Sequence, residues 1–197
     1  MRIGLYGGSF DPVHNGHLAV AKACRDSAGL DGVWFVPTAV QPFKPHGPVA
    51  SDHHRVAMLR LAGATVCTVE IDRGGVSYTV DTLRQLTADH RGNEWFLLMG
   101  ADTLRELPTW REPAAILEMA APLAVHRPGE PAPDFSLFTP LVSGERLNEI
   151  AGGRVEMTPV DASSSEVRTG VANRLPIDQF CPPPVAAYIA EHKLYQE

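Results

Sequence analysis

Gly7-Gly8-Ser9-Phe10-Asp11-Pro12-Val13-His14-Asn15-Gly16-His17-Leu18 is the stretch on which the reading of this chain turns. It follows the apolar run Ile3-Gly4-Leu5-Tyr6 and precedes the helix-like run Leu18-Ala19-Val20-Ala21-Lys22-Ala23-Cys24. A buried strand therefore runs into a glycine-rich turn, with two histidines where a helix begins. Glycine lets the backbone approach a ligand closely, and free N–H groups at a helix start favour anions. Histidines spaced by three point the same way from the first turn and can donate to phosphate oxygens. The combination points to a nucleoside triphosphate site. It is neither of the two commoner phosphate loops, because both Gly-x-x-x-x-Gly-Lys-Ser/Thr and Gly-x-Gly-x-x-Gly are missing from this turn.

With 197 residues, 44% hydrophobic and 20% charged, the chain can build one well-packed core, and a single domain over residues 1–197 is expected. No apolar run reaches the roughly 18 residues that cross a membrane, and no signal-peptide pattern opens the chain. Cys24, Cys67 and Cys181 are odd in number and widely spaced, which fits core filling in a reducing, cytoplasmic setting. A net charge of -6 without a basic run argues against binding along a nucleic acid. A small polyanion remains compatible, since a few local cations outweigh the global charge; the candidates are Lys44, Arg127 and Arg168.

Strand-like and helix-like segments alternate. Strands are expected at 2–6, 33–36, 66–71, 95–99, 123–126 and 155–158, and helices at 17–28, 52–61, 79–89, 113–119, 164–172 and 184–192. Short apolar strands between amphipathic helices predict an α/β fold: a Rossmann-like, doubly wound parallel sheet with helices on both faces. Ligands bind such sheets at the strand C-terminal ends, where the motifs fall. Long loops are expected at 37–51 and, rich in proline, at 127–141.

The opening stretch resembles the His-x-Gly-His signature of the nucleotidyltransferase superfamily with its Gly-Gly-Ser/Thr-Phe-Asp-Pro prefix. Five further segments match in order: Pro37–Lys44, Ser77–Leu83, Gly100–Leu104, Leu107–Trp110 and Ser163–Arg168. The closing pattern Val185-Ala186-Ala187-Tyr188-Ile189 with Leu194-Tyr195 fits as well. On these residues the chain is similar to bacterial nicotinate mononucleotide adenylyltransferases. The resemblance implies that ATP and nicotinate mononucleotide are converted to nicotinate adenine dinucleotide and pyrophosphate, in the cytoplasm, with Mg2+ carried by ATP. The mononucleotide's phosphate attacks the α-phosphorus in line, without a covalent intermediate. That phosphate is already ionised, so the protein's work is alignment and charge stabilisation.

Under this resemblance His14, His17 and Arg168 are the catalytic candidates, with His17 nearest the bridging oxygens; a capping or orienting role is the alternative for His14. ATP binding falls to Gly8, Ser9, Phe10, Lys44, Gly100, Asp102, Arg127, Ser163, Ser164 and Ser165. Asp102 is placed to accept from a ribose hydroxyl, or else serves as a helix cap. Phe43 and Gln41 depart from the family's usual residues around Lys44, where a solvated lysine is the alternative. The chain reads Ala162-Ser163-Ser164-Ser165 where the family has Ile-Ser-Ser-Thr. Tyr78 and Thr79 are expected to offer backbone N–H groups to the pyridine carboxylate, and Trp110 to stack on the ring. Trp34 and Trp95 read as core. His46, His53 and His54 with Asp52 do not form a closed zinc set. The other readings are a phosphopantetheine adenylyltransferase or a cytidylyltransferase of the same superfamily, or a non-catalytic nucleotide-binding domain. Self-association is left open.

Overall fold

The computed structural model describes residues 1–40, 47–126, 129 and 131–196. Among these residues six strands form one sheet: β1 (Arg2–Gly8), β2 (Gly32–Pro37), β3 (Thr65–Val66), β4 (Glu94–Gly100), β5 (Ala120–His126) and β6 (Arg154–Glu156). The α-helices among the described residues are α1 (Asn15–Ala28), α2 (Asp52–Leu61), α3 (Val69–Arg73), α4 (Thr79–Asp89), α5 (Ala101–Glu106), α6 (Pro113–Met119), α7 (Gly144–Ile150), α8 (Ser164–Ala172) and α9 (Pro183–Glu191). The strand order is β3-β2-β1-β4-β5-β6. β1 runs parallel to β4, β2 to β3, β4 to β5 and β5 to β6. The order reverses at β1, the switch point where open parallel sheets take their ligands.

The chain forms two compact units: residues 1–6, 20–33 and 78–158, and residues 7–19, 34–77 and 159–197. In the first unit Val20, Cys24, Leu30, Leu98, Leu123 and Val125 share one buried cluster. Burying a side chain of the larger of these contributes about 1.5–3 kcal/mol. Gly4 lets the core close over β1: a Cβ there would lie 2.7 Å from Leu98 Cδ1 and 2.9 Å from Leu30 Cδ1, so both leucine ends would have to shift. β4 reads as the continuous apolar run Trp95–Met99, the pattern of a strand covered on both faces.

In the second unit Arg55 of α2 is fully buried, and Phe10, Phe35, Met58, Val185 and Ile189 are buried as well. The expected strand at 66–71 is a correction. Thr65–Val66 pairs with β2, and Val69–Arg73 forms the short helix α3. The alternation Val69-Glu70-Ile71 imitates a strand, yet Glu70 is buried and Ile71 is half-buried, so the real pattern is not two-sided. Among the described residues no helix is long and apolar enough to cross a membrane.

Candidate active site

The glycine-rich turn is held from beneath. Thr38 N–H donates to the Gly8 carbonyl at 3.0 Å, and Arg55 Nη1 donates to the Ser9 carbonyl at 2.6 Å. Arg55 Nη2 reaches the Thr38 carbonyl at 2.7 Å and the Asp52 carboxylate at 2.6 Å. One buried guanidinium thus gathers three acceptors from two loops and its own helix. Phe10 stands in left-handed backbone at φ 47°, a conformation that costs a non-glycine residue about 1–3 kcal/mol. Its packing offsets that strain: the ring is buried, 5.3 Å from Phe35 and edge-on to His17 at 5.0 Å.

The two histidines meet at the first turn of α1. Their ring centroids are 3.7 Å apart and the planes are tilted by 33°. The His14 backbone N–H donates to His17 Nδ1 at 3.3 Å. Burial pushes the His17 imidazole down to about 3, and the neighbouring His14 adds to the effect. His17 is therefore neutral at pH 7, and with Nδ1 accepting, its proton sits on Nε2 as a single donor. Gly16 makes this stack feasible: a Cβ there would sit 3.0 Å from the His14 ring and 3.1 Å from the Ala162 carbonyl. Asn15 anchors the helix start, its N–H to the Phe180 carbonyl at 2.8 Å and its amide to the Gln179 carbonyl at 3.1 Å.

The three serines before Arg168 divide their work. Ser163 caps α8, accepting from Glu166 N–H at 3.1 Å while its hydroxyl donates to the Glu166 carboxylate. Ser164 donates to the Pro12 carbonyl at 2.8 Å, tying the helix to the histidine turn. Ser165 accepts from Arg168 Nη2 at 3.3 Å. Arg168 Nη1 donates to the Asp11 carbonyl at 2.7 Å. Two of its five N–H donors are thereby fixed by protein acceptors.

Gly100, Asp102, Tyr78, Thr79 and Trp110 belong to the first unit. Gly100 precedes α5, and Asp102 lies inside that helix, exposed and paired with Arg105 at 2.9 Å; it is not the helix cap. Tyr78 precedes α4 in extended backbone and makes no side-chain cap; its carbonyl accepts the Asp81 N–H at 3.0 Å and the Thr82 N–H at 3.2 Å. Thr79 is the first residue of that helix and half-buried. Trp110 is half-buried and follows the 3-10 turn Leu107–Thr109, its N–H donating to the Leu107 carbonyl at 3.0 Å. Beside it, the Arg111 guanidinium lies 4.8 Å over the Tyr78 ring. Lys44, expected at the triphosphate, and Arg127, expected at the adenosine or the phosphates, lie outside the described residues, as does His46. His54 Nδ1 is 2.9 Å from the Tyr188 hydroxyl, and its ring packs against His53 and His192.

The site role of three residues escapes a sequence reading. Asp11, Arg55 and Tyr195 were not among the expected site residues, yet they hold the turn through their hydrogen bonds. Asp11 stands in the opening prefix and Tyr195 in the closing pattern, but neither shows its partner locally; nothing local marks Arg55, whose partners the fold supplies.

The histidine turn and the capped arginine helix are joined directly, Ser164 donating to the Pro12 carbonyl and Arg168 to the Asp11 carbonyl. A profile of the cytidylyltransferase-like family matches residues 5–170. A protein of Rhodopirellula baltica described as a probable nicotinate-nucleotide adenylyltransferase is 37% identical, over 98% of this chain and 93% of its own. One of Roseiflexus castenholzii with the same description is 43% identical, over 99% and 98%. Among solved structures, Plasmodium falciparum nicotinic acid mononucleotide adenylyltransferase complexed with NaAD has a TM-score of 0.70. The match covers 98% of this chain and 97% of that one at 18% identity, a likeness of fold. The chain belongs to the cytidylyltransferase-like family and, within it, to the nicotinate-nucleotide adenylyltransferases.

Proposed function

We propose that the chain works in the cytoplasm as one nucleotidyltransferase domain, moving AMP from ATP to nicotinate mononucleotide and releasing pyrophosphate. The observation that carries this reading is the His14–His17 stack, with Nδ1 of His17 accepting and its proton on Nε2, in a chain 37–43% identical over its length to such enzymes. The mononucleotide's phosphate attacks the α-phosphorus of ATP, the bond to the β-phosphate breaks, and pyrophosphate carries away the electron pair. No proton need be removed from the nucleophile. The charge that gathers on the phosphorus oxygens meets His17 Nε2–H and His14, while the remaining donors of Arg168 and the Ser165 hydroxyl hold the outer phosphates.

Gly8, Ser9 and Phe10 form the floor of the turn, and Ser163 and Ser164 hold α8 in place. Gly100 and Asp102 are assigned to the adenosine side, Lys44 to the phosphates, and Arg127 to the adenosine or the phosphates. Tyr78 and Thr79 present backbone donors to the pyridine carboxylate, and Trp110 offers its indole face. Magnesium belongs to the substrate. Among the described residues no three His, Cys, Asp or Glu side chains gather as a cation cage, and the Asp11 carboxylate is already committed to protein donors. That donor set fits a metal held by phosphates and water, which when bound neutralises part of the triphosphate's charge.

The test is pyrophosphate release from magnesium-ATP with nicotinate mononucleotide, nicotinamide mononucleotide or phosphopantetheine as acceptor. Release is expected with nicotinate mononucleotide. Release with phosphopantetheine alone overturns the assignment, and equal rates with both pyridines remove the acid preference.

A further inference from the structure

Asp11 is the most heavily tethered residue of the histidine turn. Its Oδ2 accepts the Val49 N–H at 2.6 Å, and its Oδ1 accepts both the Ala50 N–H at 3.1 Å and the Tyr195 hydroxyl at 2.7 Å. Its main-chain oxygen accepts Arg168 Nη1 at 2.7 Å. Asp11 is 4% exposed and Tyr195 is 8% exposed. A hydroxyl donating to a buried carboxylate is a charge-assisted bond, about twice as strong as a neutral one. Burial first, and then Asp11 itself, raise the Tyr195 phenol, so it remains the donor at every working pH.

The tail that brings Tyr195 there is itself under constraint. Lys193 and Tyr195 both stand in left-handed backbone, at φ 52° and 61°. Neither is glycine, and each such residue is strained by about 1–3 kcal/mol. The chain just beyond α9 therefore turns back at an energetic disadvantage, offset by the buried ring of Tyr195 and its bond to Asp11. This contact lies 184 residues from Asp11 in sequence.

We propose that Tyr195 is a positioning residue for the transfer step, acting through Asp11 to set the Arg168 fork against the His14–His17 pair. The path is short and covalent in part. The Tyr195 hydroxyl and two backbone N–H groups immobilise the Asp11 carboxylate. The immobilised side chain fixes the Asp11 main chain, and its carbonyl holds Arg168 Nη1. Without the phenol hydroxyl, Oδ1 keeps one donor, the carboxylate tilts, and the carbonyl that registers Arg168 moves with it. Rate is sensitive to such shifts: a misplacement of about 1 Å lowers it by roughly 10²-fold. A relaxed rather than displaced Arg168 predicts a smaller loss. The inference rests on the proposed role of Arg168.

Tyr195→Phe keeps the ring in place and removes only the hydroxyl. The expected result is a roughly tenfold fall in kcat, with KM for nicotinate mononucleotide within about twofold of wild type, in protein that unfolds cooperatively. Arg168→Lys, which cannot fork, should lower kcat more, and adding Tyr195→Phe to it should lower kcat little further, because both act on one contact. Asp11→Asn should reproduce the Tyr195→Phe loss and supplies the test should that variant fold poorly. Wild-type kcat in Tyr195→Phe, or losses that multiply in the double variant, overturns the proposal while leaving the Arg168 reading intact. Unchanged kcat in Arg168→Lys overturns the reading of Arg168 and this inference with it.

Discussion

The His14 and His17 rings lie 3.7 Å apart, close enough that the two cannot comfortably carry charge together. Unfolded, His17 takes up a proton near pH 6.5; folded, it does so near pH 3. Between these values the unfolded chain holds the extra proton, so stability rises with pH and is lost as pH falls from 6.5 towards 3. Because the residue keeps some contact with water, the contribution is on the order of 2–4 kcal/mol rather than the full shift. Urea unfolding from pH 4 to pH 7 should show this slope, and His17→Asn should flatten it. An unchanged slope in that variant contradicts the burial argument.

The same imidazole should dominate turnover. His17→Ala removes a donor whose tautomer the fold fixes, and kcat is expected to fall by at least about 100-fold, as when an oxyanion donor is deleted. Wild-type turnover in a folded His17→Ala protein would sink the mechanism.

Arg55 presents a different failure. Arg55→Met fills similar space but leaves the Ser9 and Thr38 carbonyls and the Asp52 carboxylate without this donor. Each orphaned group costs about 1–3 kcal/mol when buried. A fall in melting temperature of roughly 5–15 °C follows for a chain of this size. A melting curve superimposable on wild type would show that water replaces the guanidinium.

Much of the framework was legible because its signals are local. The bounds expected for α2, α4, α6 and α8 coincide with those observed: Pro113 opens α6, and Ser163 caps α8 as a serine before such a helix should. α5 and α7 escaped notice, being six and seven residues long, too short for periodicity to speak. The glycines and histidines of the turn were equally readable, since their spacing is their chemistry. Arg55 was not, because an arginine in a helix is a surface residue by default; its three acceptors, up to 46 residues away, make it core.

The proposed role of Trp110 concerns one substrate and not the other. Trp110→Ala should raise KM for nicotinate mononucleotide by roughly tenfold through loss of aromatic stacking, while KM for magnesium-ATP stays within about twofold. Steady-state kinetics with each substrate varied in turn decides it. Equal weakening of both would mean that the indole supports the fold instead.

Thiol chemistry offers a readout of the fold without substrate. Burial pushes the Cys24 thiol up to about 12 and Cys181 to about 11, and half-buried Cys67 is also raised. Thiolate is the reacting form, so alkylation at pH 8 should be slow in the native protein and fast in urea. Mass spectrometry should find Cys67 modified first; prior labelling of Cys24 would contradict its place in the core.

The pairing of Arg2 with Glu94 bears on how the molecule is made. At 5–20 residues per second, a ribosome needs roughly 5–20 s to deliver β4 after β1 has emerged. β2 arrives early, but the other edge of β1 stays bare through that interval. An unpaired strand edge invites pairing with whatever backbone is near. The nascent chain therefore passes through a window in which crowding on a polysome or a lack of chaperone decides yield, and slowing translation before residue 94 would lengthen it.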